Sequence, residues 1–294
     1  MILLDFSGTM FRSISVDMKQ NMGMKTDIEY LRHLILNSIR MYNRMFKDTY
    51  GEMIICFDYP GGSWRKDIFP YYKARRKKIR VDSGIDWTEI FSSVNIIMDE
   101  IKRYLPYKCI RVDKLEADDI IAILAMNAEE ISEKDAFGLM KHNVLIVSDD
   151  KDYAQLHKFP YVRQYKPSKG NFFKENDPEF ALTELILHGD SSDGIPNIFS
   201  PEDIFMVEGR RQKSVTTKFI RQFLQEGESC LGDFEKNRFE MNKMLISFDK
   251  IPSKYVSEVI DAYKNACGSK NRFELFQYLA QNKLKQILGN IEDF

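Results

Sequence analysis

Residues 144–152 of the chain read VLIVSDDKD, an apolar run that stops abruptly on aspartates. Two other apolar runs end in the same way, Ile2–Leu4 at Asp5 and Met53–Phe57 at Asp58. Short apolar runs of this kind predict buried parallel strands. Because open α/β sheets bind ligands at the carboxyl ends of their strands, we expect the three sets of aspartates to meet in one crevice.

The rest of the chain extends this pattern. Short strands are predicted near 109–112 and 161–165, the second as an edge strand, and helices at 26–47, 87–104 and 116–131. Thr26 or Asp27 is the expected cap of the first helix. Strands that alternate with helices predict an α/β fold in which a parallel sheet has helices on both faces. After about Asp177 only helices are predicted, at 178–188, 214–226, 235–247, 253–266 and 271–288.

Composition narrows the class of protein. The chain has 294 residues, of which 44% are hydrophobic and 30% charged, as in ordinary globular proteins. Its four cysteines are widely spaced, which indicates a reducing compartment. A strand at residue 2 leaves no room for a leader peptide, and no apolar run approaches the roughly 20 residues of a membrane span. We therefore expect a cytoplasmic protein without a membrane segment.

Two more acidic clusters, EADD at 116–119 and DSSD at 190–193, have helical spacing. Residues three apart on a helix share a face, so Glu116 should point with Asp119, and Asp190 with Asp193. Any one cluster could be a helix cap or a loop, and Asp118 and Asp149 are expected to have such supporting roles. Converging carboxylates require cations between them, and oxygen donors favour Mg²⁺ or Mn²⁺. Eight acids form the predicted set: Asp5, Asp58, Glu116, Asp119, Asp150, Asp152, Asp190 and Asp193. Without them the net charge of −1 becomes +7, which suits a polyanionic substrate.

The segment 64–80 reads WRKDIFPYYKARRKKIR and contains eight Lys or Arg residues with four aromatic residues. Cations interleaved with rings are typical of contacts to single-stranded nucleic acid. The alternative is a solvated charged helix whose rings lie in the core. Its position just after the strand that ends at Asp58 favours the first interpretation.

Five motifs occur in a familiar order: MILLDFSGT, the FPYYKARRKK segment after Asp58, EADD, SDDKDYAQL and GDSSDGIPN. In this order they resemble the 5′-nuclease (flap endonuclease) superfamily, most closely its ribonuclease H branch from T4-type bacteriophages. The resemblance extends over nearly the whole chain. It implies a PIN-like nuclease core over 1–185, with a helical arch at about 64–86. It also implies a helical DNA-binding region over 186–294, with a helix-turn-helix-type element after Asp193.

The resemblance further implies a two-metal 5′→3′ exonuclease and flap endonuclease with ribonuclease H activity. Such an enzyme removes RNA primers and adjacent DNA during phage lagging-strand replication in the bacterial host cytoplasm. It would act as a monomer on flaps, nicked duplex and RNA–DNA hybrids. Its protein partners would be a single-stranded-DNA-binding protein and a sliding clamp. The implied catalytic residues are Lys73, Arg76, Asp119 and Asp150. Those implied to contact nucleic acid are Arg65, Lys66, Tyr72, Lys73, Arg75, Arg76, Lys77, Lys78, Arg210, Arg211 and Lys213.

The expected mechanism is phosphodiester hydrolysis with two Mg²⁺ ions, for which Mn²⁺ can substitute. One alternative is a haloacid-dehalogenase-type phosphatase, because the segment from Asp5 to Thr9 resembles its opening D-x-D-G-T motif. Ser7, however, replaces the acid that this chemistry needs. The other alternative is a catalytically dead nucleic-acid-binding scaffold, which the complete acid set disfavours.

Overall fold

The computed structural model describes residues 1–20 and 27–294. Its sheet has six strands in the order β3-β2-β1-β4-β5-β6. Strands β1 to β5 pair in parallel, and β6 pairs with β5 in the antiparallel direction. The strands are β1 (Ile2–Asp5), β2 (Met53–Cys56), β3 (Lys108–Ile110), β4 (Val144–Val147), β5 (Val162–Lys166) and β6 (Asn171–Phe173). The predicted α/β fold with a mostly parallel sheet is confirmed.

Thirteen α-helices surround the sheet within the described residues. Those of the first 188 residues are α1 (Phe6–Gln20), α2 (Ile28–Tyr50), α3 (Arg65–Ile68), α4 (Arg75–Asp82), α5 (Trp87–Tyr104), α6 (Ala117–Met126), α7 (Ala128–Ile131) and α8 (Pro178–His188). The remainder are α9 (Thr217–Glu226), α10 (Asp233–Ile246), α11 (Ser253–Asn265), α12 (Arg272–Gln281) and α13 (Lys285–Leu288). Within the described ranges no helix has the length and apolar character that crossing a membrane would require.

The central strands β1, β2 and β4 are buried because nearly all of their residues are apolar. Side chains alternate along a strand, so Ile2 and Leu4 pack into one hydrophobic cluster while Leu3 packs into another. The first cluster includes residues of α1, α2, α5 and α12, and the second includes residues of α6 and α11. The α-helices thus cover both faces, as predicted.

A third cluster joins the basic segment to the C-terminal helices. Phe69 and Tyr72 are buried among residues of α8, α9 and α10. The predicted arch region is therefore anchored by its first half, whereas α4 in its second half has no buried residue.

Several elements differ from the sequence prediction. Helix α1 and strand β6 were not predicted, and β6 covers the strand that was expected to form the edge. The predicted helices at 116–131 and 271–288 are each divided in two, near Asn127 and near Lys283. Asp27 caps α2 by accepting a hydrogen bond from the Glu29 amide, whereas Thr26 lies outside the described residues. The segment 189–216, which includes the expected start of a helix-turn-helix-type element, contains turns before α9.

The order of the strands determines where the ligand-binding crevice lies. The chain passes from β1 to β2 to β3 in one direction, and β4 and β5 then lie on the other side of β1. Ligands of such sheets bind at the carboxyl ends of the strands where this reversal occurs. The reversal lies between β1, which ends at Asp5, and β4, which is followed by the Asp149-Asp150 pair.

Candidate metal centre

The strand-end acids are joined by short hydrogen bonds. Ser148 Oγ donates to Asp5 Oδ2 over 2.9 Å and accepts from the Asp150 amide over 3.2 Å. Ser7 Oγ donates to Asp58 Oδ2 over 2.5 Å. Burial raises the pKa of Asp5 to about 6, although the hydrogen bond from the Gly8 amide lowers it. The charge of Asp58 adds to the increase. The predicted convergence of β1, β2 and β4 on one spot is thus present in the structure.

The start of α6 contributes the next group of acids. Glu116 is the N-cap of α6, and the Ala117 amide donates to Asp58 Oδ1 over 2.7 Å, which connects this helix to β2. One carboxylate oxygen each from Glu116, Asp118 and Asp119 lies within 4.8 Å of the other two. Burial, together with the charges of Asp119 and Glu116, raises the pKa of Asp118 well above its ordinary value. Such a group favours a nearby cation.

Only one of the two helical aspartates faces the crevice, and it is not the one that was predicted. Asp119 is fully buried, and Arg65 Nη2 lies 2.8 Å from its Oδ1. Glu116 and Asp119 form a capping box, in which the third helical residue turns back to accept a hydrogen bond from the N-cap amide. Asp118 lines the cavity instead. The capping-box spacing was visible in the sequence and could have indicated this arrangement.

The remaining acids lie beside β4. Burial raises the pKa of Asp152 to about 8, with further contributions from the charges of Asp150 and Asp190. Asp190 accepts hydrogen bonds from Ser192, and Lys151 Nζ lies 3.0 Å from its Oδ2. Burial would raise the pKa of Asp190, but these hydrogen bonds and the Lys151 charge lower it. Lys151 is a cation at the site that the sequence reasoning did not identify.

Side chains from the basic segment reach these acids directly. Lys73 Nζ lies 2.5 Å from Glu116 Oε1 and 3.4 Å from Asp193 Oδ2, and Arg76 Nη2 lies 2.6 Å from Asp193 Oδ1. Burial would raise the pKa of Glu116, but the charges of Lys73 and Arg65 lower it to about 2. Lys73 itself has a positive φ of 55°, a backbone conformation that is uncommon for a residue other than glycine. Its amide donates to the Asp193 carbonyl over 2.7 Å, which fixes the segment beside the acids.

Two predicted nucleic-acid contacts are corrected by the structure. Arg65 and Tyr72 are each 2% exposed, so they are closed to a substrate. Arg65 Nε donates to the Leu245 carbonyl over 2.7 Å, and the Tyr72 hydroxyl donates to Glu116 Oε2 over 2.7 Å. Trp64 and Phe69 are buried as well. The rings of this segment therefore belong to the core, as the alternative interpretation had it, because α3 and its following turns pack against the C-terminal helices.

The other predicted contacts are available on the surface. Lys66, Arg75, Lys77 and Lys78 are exposed on or near the basic segment, and Arg210, Arg211 and Lys213 are exposed before α9. Arg75 contacts the segment that precedes Arg210, because its guanidinium lies 5.7 Å from the ring centre of Phe205. Asp149 lines the cavity, but it accepts hydrogen bonds from the Ser168 amide and hydroxyl, consistent with its expected supporting role.

Of the eight predicted acids, Asp5, Asp58, Glu116 and Asp150 line a cavity of about 550 Å³, hereafter the acid cavity, whereas Asp119, Asp152, Asp190 and Asp193 do not. Its lining includes six carboxylates and three cations, the latter being Lys73, Arg76 and Lys151. Asp152 Oδ1 is buried and accepts no hydrogen bond from any residue in the described ranges. An all-oxygen donor set with an unsatisfied buried oxygen fits hard divalent cations. The residues present therefore suit a divalent metal ion.

Comparison with known proteins identifies the family to which the chain belongs. A family model described as the 5′-3′ exonuclease N-terminal resolvase-like domain matches residues 1–181, and one described as the T4 RNase H C-terminal region matches 176–294. The ribonuclease H of Enterobacteria phage T4 is 33% identical over 301 residues, which cover 99% of this chain and 95% of that protein. The exonuclease of Escherichia phage T7 is 24% identical over 65% of this chain and 63% of its own length.

Solved structures show the same fold. A phage T5 5′-exonuclease with bound zinc superimposes with a TM-score of 0.55 at 16% identity, over 90% of this chain and 93% of that one. A phage T5 flap endonuclease in a pseudo-enzyme-product complex with DNA and metal ions gives 0.56 at 15% identity, again over 90% and 93%. The matched family model and the full-length similarity to the phage T4 protein show that this chain belongs to the 5′-3′ exonuclease family.

Proposed function

We propose that the chain is a divalent-metal-dependent 5′→3′ exonuclease and flap endonuclease that removes RNA primers and adjacent DNA from 5′ ends in phage lagging-strand replication. One observation supports this function most strongly. Carboxylates at the ends of β1, β2 and β4 and at the start of α6 line a single cavity, and Lys73 and Arg76 reach into it. A cluster of acids alone could simply bind metal ions. Acids together with the long cationic side chains of lysine and arginine suit a site that holds a phosphate through metal ions.

Two Mg²⁺ ions, with Mn²⁺ as a substitute, would be held by the carboxylates around the acid cavity. When bound, such ions activate water and neutralise charge on the phosphate and the leaving oxygen. Asp118 takes the place that the sequence analysis gave to Asp119, because Asp118 lines the cavity and Asp119 is paired with Arg65. The proposed ligands that line the cavity are Asp5, Asp58, Glu116, Asp118 and Asp150. Asp152, Asp190 and Asp193 complete the proposed set from just outside the lining, where Asp152 adjoins Asp150 and the other two pair with cations of the cavity.

The chain's own groups orient the phosphate. Lys73 and Arg76 now pair with Glu116 and Asp193, two carboxylates that would hold a divalent cation. From these positions both side chains can contact a phosphate in the cavity from the side of the basic segment. A cation placed there stabilises charge that develops in the transition state more than charge in the ground state, and so acts on rate.

Nucleic acid outside the cavity would be held by exposed cations. Arg75 contacts Phe205, which precedes Arg210, Arg211 and Lys213 in the chain. We therefore propose that these cations and those of the basic segment, Lys66, Arg75, Lys77 and Lys78, follow one phosphate backbone. We propose that the chain has two parts, in which residues 1–185 carry out cleavage and residues 186–294 bind DNA. The same proposal includes a helix-turn-helix-type DNA-binding element after Asp193 and a monomeric state. It also includes contacts with a single-stranded-DNA-binding protein and a sliding clamp.

Three substrates test the proposal: a 5′-labelled flap, a nicked duplex and an RNA-primed duplex, each incubated with Mg²⁺ and with EDTA. We expect cleavage from 5′ ends that requires Mg²⁺ and short oligonucleotide products. Asp150→Asn should be inactive, and Asp261→Asn, an exposed residue of α11, is the matched control. Products shortened from the 3′ end, or equal activity in EDTA, would overturn the proposal.

The two alternatives make different predictions. A phosphatase would hydrolyse small phosphate esters. In this chain, however, Ser7 stands where such a phosphatase has its general acid, and the Ser7 hydroxyl donates a hydrogen bond to Asp58. A dead scaffold would bind flaps without cutting them. The same assay, with a small phosphate ester added as a fourth substrate, separates these outcomes.

A further inference from the structure

A tyrosine hydroxyl lies buried behind the acid cavity without a hydrogen-bond partner. Tyr153 follows Asp152 in a 3₁₀ helix (Asp152–Lys158), and its side chain is 0% exposed. Within residues 1–20 and 27–294 its hydroxyl group neither donates nor accepts a hydrogen bond. A buried hydroxyl that is left unpaired costs free energy, and a partner that forms when an ion binds would remove that cost.

The fold places this tyrosine between the sheet and α6, below the strand-end acids. Tyr153 packs in the hydrophobic cluster that contains Leu3 of β1, Cys56 of β2 and Ala117 of α6. Because side chains alternate along a strand, Asp5 points to the same face of the sheet as Leu3. Asp5 is also paired in register with Cys56 on the neighbouring strand. Asp5 therefore projects from the face of the sheet against which the Tyr153 ring packs.

Three carboxylates act on Tyr153 from three different elements. Burial raises the pKa of Tyr153 well above its ordinary value, and the charges of Asp5, Asp118 and Asp150 raise it further, with Asp5 contributing the most of the three. These acids lie at the end of β1, in α6 and after β4, so a group that all three influence lies among them. The three acids line the acid cavity, whereas Tyr153 does not. The hydroxyl is therefore behind the carboxylates, on the side away from the cavity.

We propose that Tyr153 is a positioning residue of the metal centre, whose hydroxyl donates a hydrogen bond to the Asp5 carboxylate when divalent ions are bound. Asp5 Oδ1 accepts from the Gly8 amide over 3.0 Å, and Oδ2 accepts from Ser148 Oγ over 2.9 Å. An ionised carboxylate has about four acceptor positions, so a metal ion and a third donor can both be accommodated. A donor behind a metal ligand fixes the orientation of that ligand. This role rests on the proposed nuclease function and belongs to a residue outside the ligand set.

Tyr153→Phe removes the hydroxyl and keeps the ring, and Tyr107→Phe is the matched control. The hydroxyl of Tyr107 is likewise buried without a partner in the described part of the chain, but Tyr107 lies just before β3, at the end of the sheet opposite to the acids. In EDTA both variants should unfold at the wild-type Tm or up to a few degrees above it, because neither loses a hydrogen bond. Titration calorimetry should show Mn²⁺ binding about 10-fold weaker or more for Tyr153→Phe, the loss typical when a support of a metal ligand is removed. Tyr107→Phe should bind Mn²⁺ like the wild type.

Two further measurements separate positioning of Asp5 from a general loss of structure. Tyr153→Phe should raise the Mg²⁺ concentration that gives half-maximal flap cleavage by the same factor, while the rate at saturating Mg²⁺ stays within about 3-fold of the wild type. Asp5→Ala removes the proposed acceptor, so adding Tyr153→Phe to it should cause no further loss of Mn²⁺ affinity. Added to Asp150→Asn, Tyr153→Phe should still cause its full loss.

Wild-type Mn²⁺ affinity in Tyr153→Phe, or an equal loss of affinity in Tyr107→Phe, would overturn the inference. A Tm for Tyr153→Phe in EDTA well below the wild-type value would also overturn it, because the hydroxyl would then have a partner without metal. A full further loss in the Asp5→Ala background would exclude Asp5 as the acceptor and overturn it as well. Failure of the proposed function has a different signature, namely no Mg²⁺-dependent cleavage of natural flaps by the wild-type protein. Calorimetry and unfolding in EDTA use no substrate, so they test the role of Tyr153 in either case.

Discussion

Lys73 Nζ lies 2.5 Å from Oε1 of Glu116, so a cation of the basic segment rests on a carboxylate of the candidate metal centre. Lys73 and a divalent ion would compete for this oxygen. The arrangement keeps the acid cluster partly neutralised without metal, and it places Lys73 beside the position where a substrate phosphate would be held.

Removing this cation should affect rate more than affinity. We expect Lys73→Ala to lower the single-turnover cleavage rate at saturating enzyme by about 100-fold, comparable to the loss of other donors that stabilise transition-state charge. Affinity for the flap should change by less than about 3-fold, because many other phosphate contacts remain. Lys73→Arg should recover part of the rate. An unchanged single-turnover rate with weaker binding would show that Lys73 only attracts the substrate.

Asp118 and Asp119 should respond to the same substitution in opposite ways. Asp118→Asn should nearly abolish Mg²⁺-dependent cleavage and leave the free energy of unfolding almost unchanged or increased. Asp119→Asn should destabilise the protein by about 3–5 kcal/mol, because it leaves the buried Arg65 guanidinium without its partner. Urea unfolding and cleavage assays on both variants measure the two effects. If Asp119→Asn is fully stable but inactive, Asp119 rather than Asp118 is the metal ligand.

Carboxylates that repel one another should destabilise the metal-free protein. Asp152 is buried beside Asp150 and Asp190, and its Oδ1 has no donor in the described part of the chain. We therefore expect Asp152→Asn to raise the Tm in EDTA by a few degrees, since about 1 kcal/mol corresponds to 2–4 °C in a chain of this size class. Mg²⁺ should raise the Tm of the wild type and have less effect on the variant. Asp261→Asn should change neither value, and a lower Tm for Asp152→Asn in EDTA would contradict the repulsion argument.

The sequence predicted the strand-end acids well because they depend on local pattern and sheet topology alone. An apolar run followed by aspartates fixes both the strand and the edge at which its acids lie, as at Asp5 and Asp150. The proposed exchange of Asp118 for Asp119 has a different origin, because helical spacing alone does not include the capping geometry that turns Asp119 back toward the Glu116 amide.

The basic segment shows what sequence pattern could not provide. Arg65 and Tyr72 have the residue types of a nucleic-acid surface, but both are buried, and Arg65 donates to Leu245, 180 residues away. Such distant contacts leave no trace in local composition. Helix α1 is a milder case: Phe6, Met10 and Ile14 are buried at helical spacing, but the intervening serines and glycine have weak helix propensity, so tertiary packing stabilises this helix.

His157 should give the protein an acid-sensitive component of stability. Burial lowers the pKa of His157 to about 4, and its Nδ1 accepts a hydrogen bond from the Glu175 amide. The unfolded chain binds a proton near pH 6.5 while the folded protein does not, so the free energy of unfolding should fall as pH decreases from about 6.5 to 4. The maximum loss is on the order of 3 kcal/mol.

Urea unfolding of His157→Gln across this pH range measures that component. The variant should lose less stability between pH 6.5 and 4 than the wild type, even if it is less stable at pH 7. His33→Gln, a half-buried histidine of α2, is the control and should keep the wild-type slope. Equal slopes for His157→Gln and the wild type would show that other groups are responsible.

The exposed cations of α4 should act on binding and not on the chemical step. Lys77 and Lys78 are exposed, and neither forms an ion pair within residues 1–20 and 27–294, so their counter-charges must come from solvent ions or from a substrate. Lys77→Ala and Lys78→Ala should each weaken flap binding several-fold at low salt and reduce the slope of log affinity against log salt by about one unit per lost phosphate contact. The single-turnover rate at saturating enzyme should stay at the wild-type value, in contrast to Lys73→Ala. Lys254→Ala on α11, another exposed lysine, controls for net charge. If Lys254→Ala lowers the salt slope as much as Lys77→Ala does, the effect reflects overall charge, and α4 does not contact the substrate backbone.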